Sequence, residues 1–478
     1  MTPLPEGFGL ELDRSVRRFA GGTVVVGGHP GRLITLSPDG VDALEGLLAG
    51  RPASSAAARR LGGRLVAAGM AHPRLVDGLR PAGAERSVTV VVPARDRTAD
   101  LDRCLGSLRP GPPVVVVDDG SDDPAAVAQV CGRHDVRLIR RTANGGPAVA
   151  RNDALETIDT DLVAFVDSDC SVTTEWLAPL VSHFDDPSIG AVAPRIRPRP
   201  GTPGGRVSSV DRYSDQRSSL DLGSEPSEVG PERLVRYVPT AALIVRRSAL
   251  SGGFDPGLRI GEDVDLVWRL LATGWRVRYE PSVTVEHREP TSWCELLGRR
   301  FRYGTSAGPL ARRHRGLLAP VDLRPWPTAV ALSVLARRPR IALAGLVGST
   351  ASLHRDLGRH GIPITRTLGW SAGAAAWTLM GMARATTMLA APALVAMAAR
   401  NRRARSTAAL MVLVPPIVDW WRRRPRLDPF RWALASIADD VAYGSGVWAG
   451  CLSAHTLAPL IPSIHSAWLG SGGQDGDC

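Results

Sequence analysis

From Val88 to about residue 315, short apolar runs rich in Val and Ile alternate with stretches whose apolar positions repeat at helical spacing. The runs are VTVVVPA, PVVVVDDGS, VRLIRR, LVAFVDSD, GAVAP, VPTAALIVR, RVRYE and SVTVEH. The stretches between them are TADLDRCLGSL, PAAVAQVCGRH, PAVARNDALET, TEWLAPLVSHF and EDVDLVWRLLATG. Near-continuous apolar strands alternating with helices predict an α/β domain around a mainly parallel sheet, spanning about 87–318. Upstream, in 1–80, TVVVG and RLITLS read as two strands around the turn GGHPG. Two helices follow, near VDALEGLLAG and SAAARRLGGRLVAAGM, with Ser37 or Asp39 as the N-cap. Leu79–Ser87 reads as a linker. From about Pro320 strands fade and Ala-rich helical stretches fill 319–468, and the Gly-rich segment 469–478 reads as a disordered tail.

Composition narrows the class. With 478 residues, 44% hydrophobic and 22% charged, the chain is neither disordered nor collagen-like. The six cysteines are scattered with no CxxC pair, which argues against a disulfide framework or structural zinc and for a reducing, cytoplasmic compartment. The start MTPLPEGFGLELD lacks a basic segment followed by an apolar one, so no secretory signal is expected. All 58 basic residues are Arg. Between Arg312 and Arg431 twenty Arg face four acids, so the net charge of +11 arises there, and the rest of the chain is slightly acidic.

The chemistry lies where the strands end. Val114–Val117 runs into Asp118-Asp119-Gly120-Ser121, and Leu162–Val166 into Asp167-Ser168-Asp169. Ligands of open α/β sheets bind beyond the carboxyl ends of the strands. Two acid clusters therefore reach one edge, and Asp-x-Asp there suits a hard divalent cation that keeps positions open for phosphate oxygens. Asp and Ser at strand ends also make turns and caps, and one cluster alone reads better that way. A third acidic element, Gly261-Glu262-Asp263-Val264-Asp265, opens a helix. It is either an N-cap or a carboxylate suited to general-base work beside a metal-diphosphate. Asn144-Gly145-Gly146-Pro147 precedes another helix and offers its N-terminus to an anion, or simply a turn.

Taken together, VTVVVPARD, VVVVDDGSDD, NGGPAVARND, FVDSD and GEDVDLVWRL resemble the inverting family 2 glycosyltransferases with the nucleotide-sugar-binding GT-A fold, over about Val88–Arg302. The resemblance implies that Pro93, Ala94, Asp96 and Asp119 line the nucleoside pocket, with Asp119 rather than Asp118 facing the base. Asn144 and Arg151 would border the donor, and Asp167, next to Ser168, would approach the ribose and metal. Asp169 would ligate a divalent metal, Mg or Mn. Asp263 would be the general base, with Glu262 beside it. A histidine near His287 completes the metal site in related enzymes, although a lone His is as readily structural. RRFRYG (299–304) lies where processive relatives carry Gln-x-x-Arg-Trp, which is absent. Arg302, Arg299 or Arg300 would then neutralise the leaving diphosphate, or form a solvated face.

The flanks refine the resemblance. LDRSVRRFAGGTVVVGGHPGRLITLSPDGVDALEGLL looks like the small winged-helix-like domains that hold precursor peptides in redox-cofactor biosynthesis. That unit, a family 2 domain and a helical C-terminal region resemble, in order and length, the mycofactocin biosynthesis glycosyltransferases. This implies hexose transfer, glucose from UDP-glucose, onto a peptide-derived premycofactocin acceptor, with extension into a short β-linked oligosaccharide. Winged-helix units also bind nucleic acid, but Arg51, Arg59, Arg60 and Arg64 read as a solvated face, and no nucleic acid partner is expected. In the C-terminal region the longest apolar stretch carries Arg384 near its centre, and the next is broken by Pro415-Pro416. Arg clusters and Trp420-Trp421 beside them point to helices lying on the anionic inner face of the cell membrane, rather than spanning it or capping a soluble domain. A lipid or cell-envelope glycan acceptor is the alternative, and a non-catalytic module on a degenerate transferase fold is a third reading.

Overall fold

The computed structural model describes residues 2–76, 86–199 and 207–465. The first unit contains β1 (Phe8–Leu12), β2 (Arg17–Phe19), β3 (Val24–Gly27), β4 (Arg32–Thr35), α1 (Pro38–Leu48), α2 (Ala56–Ala67) and β5 (Ala71–Leu75). β2–β3–β4 form an antiparallel meander and β1 pairs antiparallel with β5. The N-cap of α1 is Ser37, whose Oγ accepts from the Gly40 amide at 3.1 Å, while Asp39 lies inside the first turn. Sequence pattern missed β1, β2 and β5, because short strands with charged outer positions carry little periodicity.

The central domain comprises β6 (Val88–Ala94), α3 (Thr98–Ser107), β7 (Val114–Asp119), α4 (Pro124–Arg133), β8 (Arg137–Arg141), α5 (Pro147–Leu155), β9 (Leu162–Val166), β10 (Cys170–Ser171) and α6 (Leu177–Ser182). It continues with β11 (Ile189–Pro198), α7 (Ser209–Arg217), β12 (Ser227–Glu228), β13 (Ala242–Arg246), α8 (Glu262–Ala272), β14 (Arg276–His287), α9 (Trp293–Thr305) and α10 (Ala307–Arg313). The sheet order is β10-β14-β11-β13-β9-β6-β7-β8, with β12 on β14. The pairs β9/β6, β6/β7, β7/β8 and β11/β14 are parallel, and β13 runs antiparallel to both its neighbours. The mainly parallel GT-A sheet read from the sequence is therefore present. Its strands are buried on both faces, one core including Val90, Val116 and Phe184, the other Val91, Phe165 and Trp268.

Two expectations change in detail. RVRYE and SVTVEH are one strand, β14, whose pairing with β11 shifts register between Glu280 and Thr284. Pro281 has no amide to give the ladder, so the strand bulges there and resumes. The helix expected over TEWLAPLVSHF is only Leu177–Ser182 followed by a 3-10 turn.

The C-terminal region holds β15 (Asp322–Leu323), α11 (Pro325–Leu335), α12 (Pro339–Leu357), α13 (Ile364–Leu389), α14 (Ala391–Arg400), α15 (Arg402–Arg423), α16 (Pro429–Ser453) and β16 (Ser463–Ile464). The segment 469–478 lies outside the described residues. α15 continues through Pro415 and Pro416 instead of breaking there. Proline removes helix hydrogen bonds, but neighbours packed on Met411 and Pro416 hold the turns together. Arg384 is not a bare charge: Nη2 lies 3.0 Å from Asp440 Oδ1 on α16. Among the described residues no single helix is long and apolar enough to cross a membrane; α13 and α14 pass together but are bent by 101°.

The three parts are tied together. α16 crosses α9 and α10 at backbone contact: a Cβ on Gly446 would stand 2.0 Å from Phe301 O, and one on Gly308 2.0 Å from Gly450 O. Arg233 donates to His29 O and Ala67 O at 2.7 and 2.6 Å, anchoring the N-terminal unit on the central domain. The β3–β4 hairpin buries Val24 and Val26 against Leu353, Leu357 and Ile362 of the helical region.

Candidate active site

The carboxyl ends of β6, β7 and β9 open on one edge of the sheet, and most of the acids singled out above meet there. In β7, Asp118 is fully buried; its Oδ1 accepts from Ser121 N at 3.0 Å and its Oδ2 has no hydrogen-bond partner among the described residues. Asp119 Oδ1 and Oδ2 accept from the Gly145 and Gly146 amides, each at 2.8 Å, and Arg141 Nε lies 3.0 Å from Oδ1. Asp119 thus fixes the Asn144–Pro147 turn at the start of α5. Gly120 allows this approach: at φ +72° its position would set a Cβ 2.8 Å from the backbone of Ala143 and Asn144. At the end of β6, Pro93 and Ala94 pair with Val117 and Asp118. Asp96, at φ 55°, donates its amide to Ser121 Oγ at 2.7 Å and accepts from Asp122 N at 2.9 Å. Strand pairing and these hydrogen bonds tie the ends of β6 and β7 together.

Arg151 joins the second and third acid groups. It is 2% exposed, and it donates from Nη2 to Asp167 Oδ1 at 2.7 Å and from Nη1 to Glu262 Oε1 at 2.9 Å. The guanidinium also sits 5.3 Å from the centre of the Phe254 ring. Burial opposes its charge, but the two carboxylates hold its proton even more firmly than usual. Asp167 is shifted up by desolvation, with Arg151 pulling it down and Asp169 pushing it further up. Ser168 is half-buried between the two aspartates.

Asp263 follows Glu262 in the first turn of α8, behind Gly261 at φ +85°. Its Oδ1 accepts from its neighbour's amide, Val264 N, at 2.8 Å. Desolvation and the adjacent Glu262 charge push its carboxyl up to about 7, while the Val264 amide and Arg151 act against that. Tyr237 and Tyr303 lie within electrostatic reach of it, and desolvation raises both phenols.

Asp169 and His287 come together because β10 pairs with the end of β14, setting Cys170 opposite His287. Asp169 Oδ1 is 3.6 Å from His287 Nε2, and His287 Nδ1 is 3.5 Å from Glu289 Oε1. Glu289 also accepts from Ser218 Oγ at 2.6 Å. No group of three or more His, Cys, Asp or Glu side chains forms a closed metal cage among the described residues. The Asp169 carboxylate suits Mg or Mn, which share phosphate oxygens, and the facing His287 imidazole nitrogen suits Mn better than the oxygen-preferring Mg.

Three arginines around Asp169 were not singled out in the sequence. Arg97 Nη1 lies 3.5 Å from Asp169 Oδ2, and Arg199 Nη2 donates to Asp169 O at 2.9 Å. Arg199 and Arg288 both pair with buried Asp100, at 3.5 and 2.6 Å. They come from three separate segments, so no local spacing announces them. Of the arginines expected to meet the diphosphate, Arg299 lies within electrostatic reach of Glu289, and Arg299 and Arg300 both lie within reach of Tyr303. Arg300 pairs with Asp439 at 2.6 Å, Arg299 lies 3.8 Å from Glu295, and Arg302 is exposed on α9, with no ion pair among the described residues.

A mainly parallel sheet with acid clusters at its carboxyl edge is the expected setting of a nucleotide-sugar site, and the sequence relatives supply the class. Residues 89–248 match the family described as Glycosyl transferase family 2. The "Pre-mycofactocin glycosyltransferase" of Mycobacterium tuberculosis, strains H37Rv and CDC 1551, is 37% identical over 97% of this chain and 99% of that protein. The succinoglycan biosynthesis protein ExoU of Rhizobium meliloti is 30% identical over 41% of this chain and 60% of that protein. Among solved structures, the mannosyltransferase PcManGT from Pyrobaculum calidifontis in complex with GDP-Man and Mn2+ is 22% identical, with a TM-score of 0.39 over 64% of this chain and 87% of that one. The chain belongs to glycosyl transferase family 2, in the branch of the pre-mycofactocin glycosyltransferases, which it matches over 97% of its length.

Proposed function

We propose that the protein transfers a hexose, glucose, from UDP-glucose to a premycofactocin-type, peptide-derived acceptor. It inverts the anomeric centre and extends the product into a short β-linked oligosaccharide at the inner face of the cell membrane. The observation that carries this reading is Asp263: a carboxyl raised to about 7, with no ion pair among the described residues, beside the Arg151–Asp167–Glu262 bridge. A base whose proton affinity lies near working pH is suited to take a hydroxyl proton.

In this mechanism Pro93, Ala94, Asp96 and Asp119 receive the nucleoside, with buried Asp118 bracing the turn behind them, and the Asn144–Pro147 turn borders the diphosphate. Asp169 and His287, with Asp167, would hold a divalent cation, which would offset diphosphate charge. Arg97 and Arg199 add positive charge on the same side. The acceptor hydroxyl attacks the anomeric carbon from the face opposite the diphosphate, and Asp263 Oδ takes its proton. The bond from that carbon to the diphosphate oxygen breaks, and its electron pair leaves with the nucleoside diphosphate. One displacement inverts the centre. The N-terminal unit, about 1–80, holds the acceptor.

The test is incubation with UDP-glucose, Mg²⁺ or Mn²⁺ and premycofactocin, reading hexose mass increments and the anomeric configuration of the product. Hexose on premycofactocin with inverted configuration is expected; no modification or a retained configuration overturns the reading. The exposed apolar side chains of the C-terminal helices favour a second reading, a lipid or cell-envelope glycan acceptor. A parallel incubation with total lipid extract decides between them, since hexose appearing only on lipid selects the second.

A further inference from the structure

α16 carries apolar side chains on one side that the described residues leave largely exposed, although the Trp448 indole donates to Leu389 O at 2.7 Å. Phe430, Leu434, Trp448 and Leu452 are exposed by 76%, 61%, 43% and 68%. At 3.6 residues per turn the four fall within about 40° of one another around the helix, along about 33 Å of its length. The opposite side is fully engaged. Trp432 and Asp439 are buried, and Gly446 and Gly450 touch the backbone of α9. The helix cannot rotate to hide the stripe without breaking that crossing. α15, packed beside it, repeats the pattern: Leu410, Val414, Ile417 and Trp421 are exposed and fall within about 60° of one another. Exposed arginines adjoin both stripes, Arg402, Arg403 and Arg405 before α15 turns apolar and Arg422, Arg424 and Arg426 after it.

We propose that these outer faces of α15 and α16 form a monotopic docking surface for an anionic phospholipid bilayer. The helices lie in the interface with their apolar stripes in the acyl boundary and the flanking arginines on headgroup phosphates. The proposal deepens the membrane placement given above and rests on it for its cellular setting; its physical basis is independent of the transfer reaction. Exposed aromatic and aliphatic side chains on one side of each helix, bordered by arginine, match an anionic interface in both hydrophobicity and charge. The same surface suits a second copy of the chain poorly, because a two-fold contact would bring like arginine clusters together. It also explains why no single helix reads as a span: the inner faces carry Asp439, Asp440 and glycines, so the apolar surface is a side of each helix, not its whole circumference.

Flotation of the full-length protein with vesicles of phosphatidylcholine, alone or containing phosphatidylglycerol, tests this. The wild type is expected to float with the phosphatidylglycerol vesicles and to be released by high salt. The variant L434D/L452D is expected to bind about tenfold or more weakly with an unchanged circular dichroism melt. R422Q/R426Q is expected to lose the preference for phosphatidylglycerol. Turnover of a water-soluble acceptor, measured on the same samples, reports on the transferase reading separately from vesicle binding. Three outcomes overturn the proposal: no flotation with either vesicle, equal flotation of wild type and L434D/L452D, or a dimer by light scattering that L434D/L452D abolishes.

Discussion

Arg151 Nη2 lies 2.7 Å from Asp167 Oδ1, so the helix α5 and the end of strand β9 meet through a guanidinium that is 2% exposed. Its other terminal nitrogen reaches Glu262, 111 residues away in sequence. Replacing it by Leu leaves two carboxylates without their shared cation. Losing one partner of a buried ion pair is expected to destabilise the fold by about 3–5 kcal/mol. Arg151→Lys recovers only part of this, because one ammonium cannot form the two diverging bonds. Urea unfolding measures the loss, and a variant as stable as the wild type would remove Arg151 from the centre of the site.

The raised Asp263 carboxyl has two separable consequences. The transfer rate is expected to rise with pH through about 7 as the base ionises. Asp263→Asn is expected to lower kcat by about 10²–10⁴-fold and abolish that limb, while donor binding changes little. In stability the sign is opposite. Below about pH 4 the folded and unfolded states are both protonated; between there and about 7 only the folded state keeps the proton, so Asp263 contributes stability that is lost as pH rises. The stability gap between wild type and Asp263→Asn should therefore shift against the wild type from pH 4 to pH 8. Thermal melts of both proteins across that range check the sign.

Asp169 and His287 face each other at 3.6 Å, and Glu289 stands behind the imidazole. Asp169→Asn and His287→Ala are each expected to raise the Mn²⁺ or Mg²⁺ concentration for half-maximal activity substantially. Glu289→Gln, acting through His287, is expected to raise it by about 10–100-fold. Isothermal titration of the cation in the presence of UDP gives the same order without relying on turnover. Wild-type metal affinity in all three variants would show that the cation, if used, is held elsewhere.

Gly446 allows α16 to touch α9, since a Cβ there would lie 2.0 Å from Phe301 O and 3.0 Å from Gly304 Cα. Gly446→Ala must push the helices apart, and overpacking of this kind costs about 1–3 kcal/mol. A lowered melting temperature is expected together with loosening of the Arg300–Asp439 pair, which crosses the same junction. An unchanged melt would mean the helices are already separated in solution.

The pattern of apolar runs and the acids that end them already contains the central sheet and the addresses of its carboxylates. Val-rich runs buried on both faces have few alternatives to a parallel sheet, and Asp118, Asp119, Asp167 and Asp169 follow directly from where those runs end. Glu262 and Asp263 were legible because they open a strongly amphipathic helix. Tertiary structure alone decided which groups act on which. Arg151 meets Asp167 and Glu262, and Arg97, Arg199 and Arg288 gather around Asp169 and Asp100, because separate strands and loops converge at one edge. Such pairings depend on sheet order, which has no signature in local spacing. The same holds for the C-terminal helices: composition showed apolar residues and arginines, but only the packing of Asp439, Gly446 and Gly450 inward against α9 leaves Phe430, Leu434, Trp448 and Leu452 outside. A helix buries the side that finds a complementary neighbour, and that neighbour is chosen by the fold as a whole.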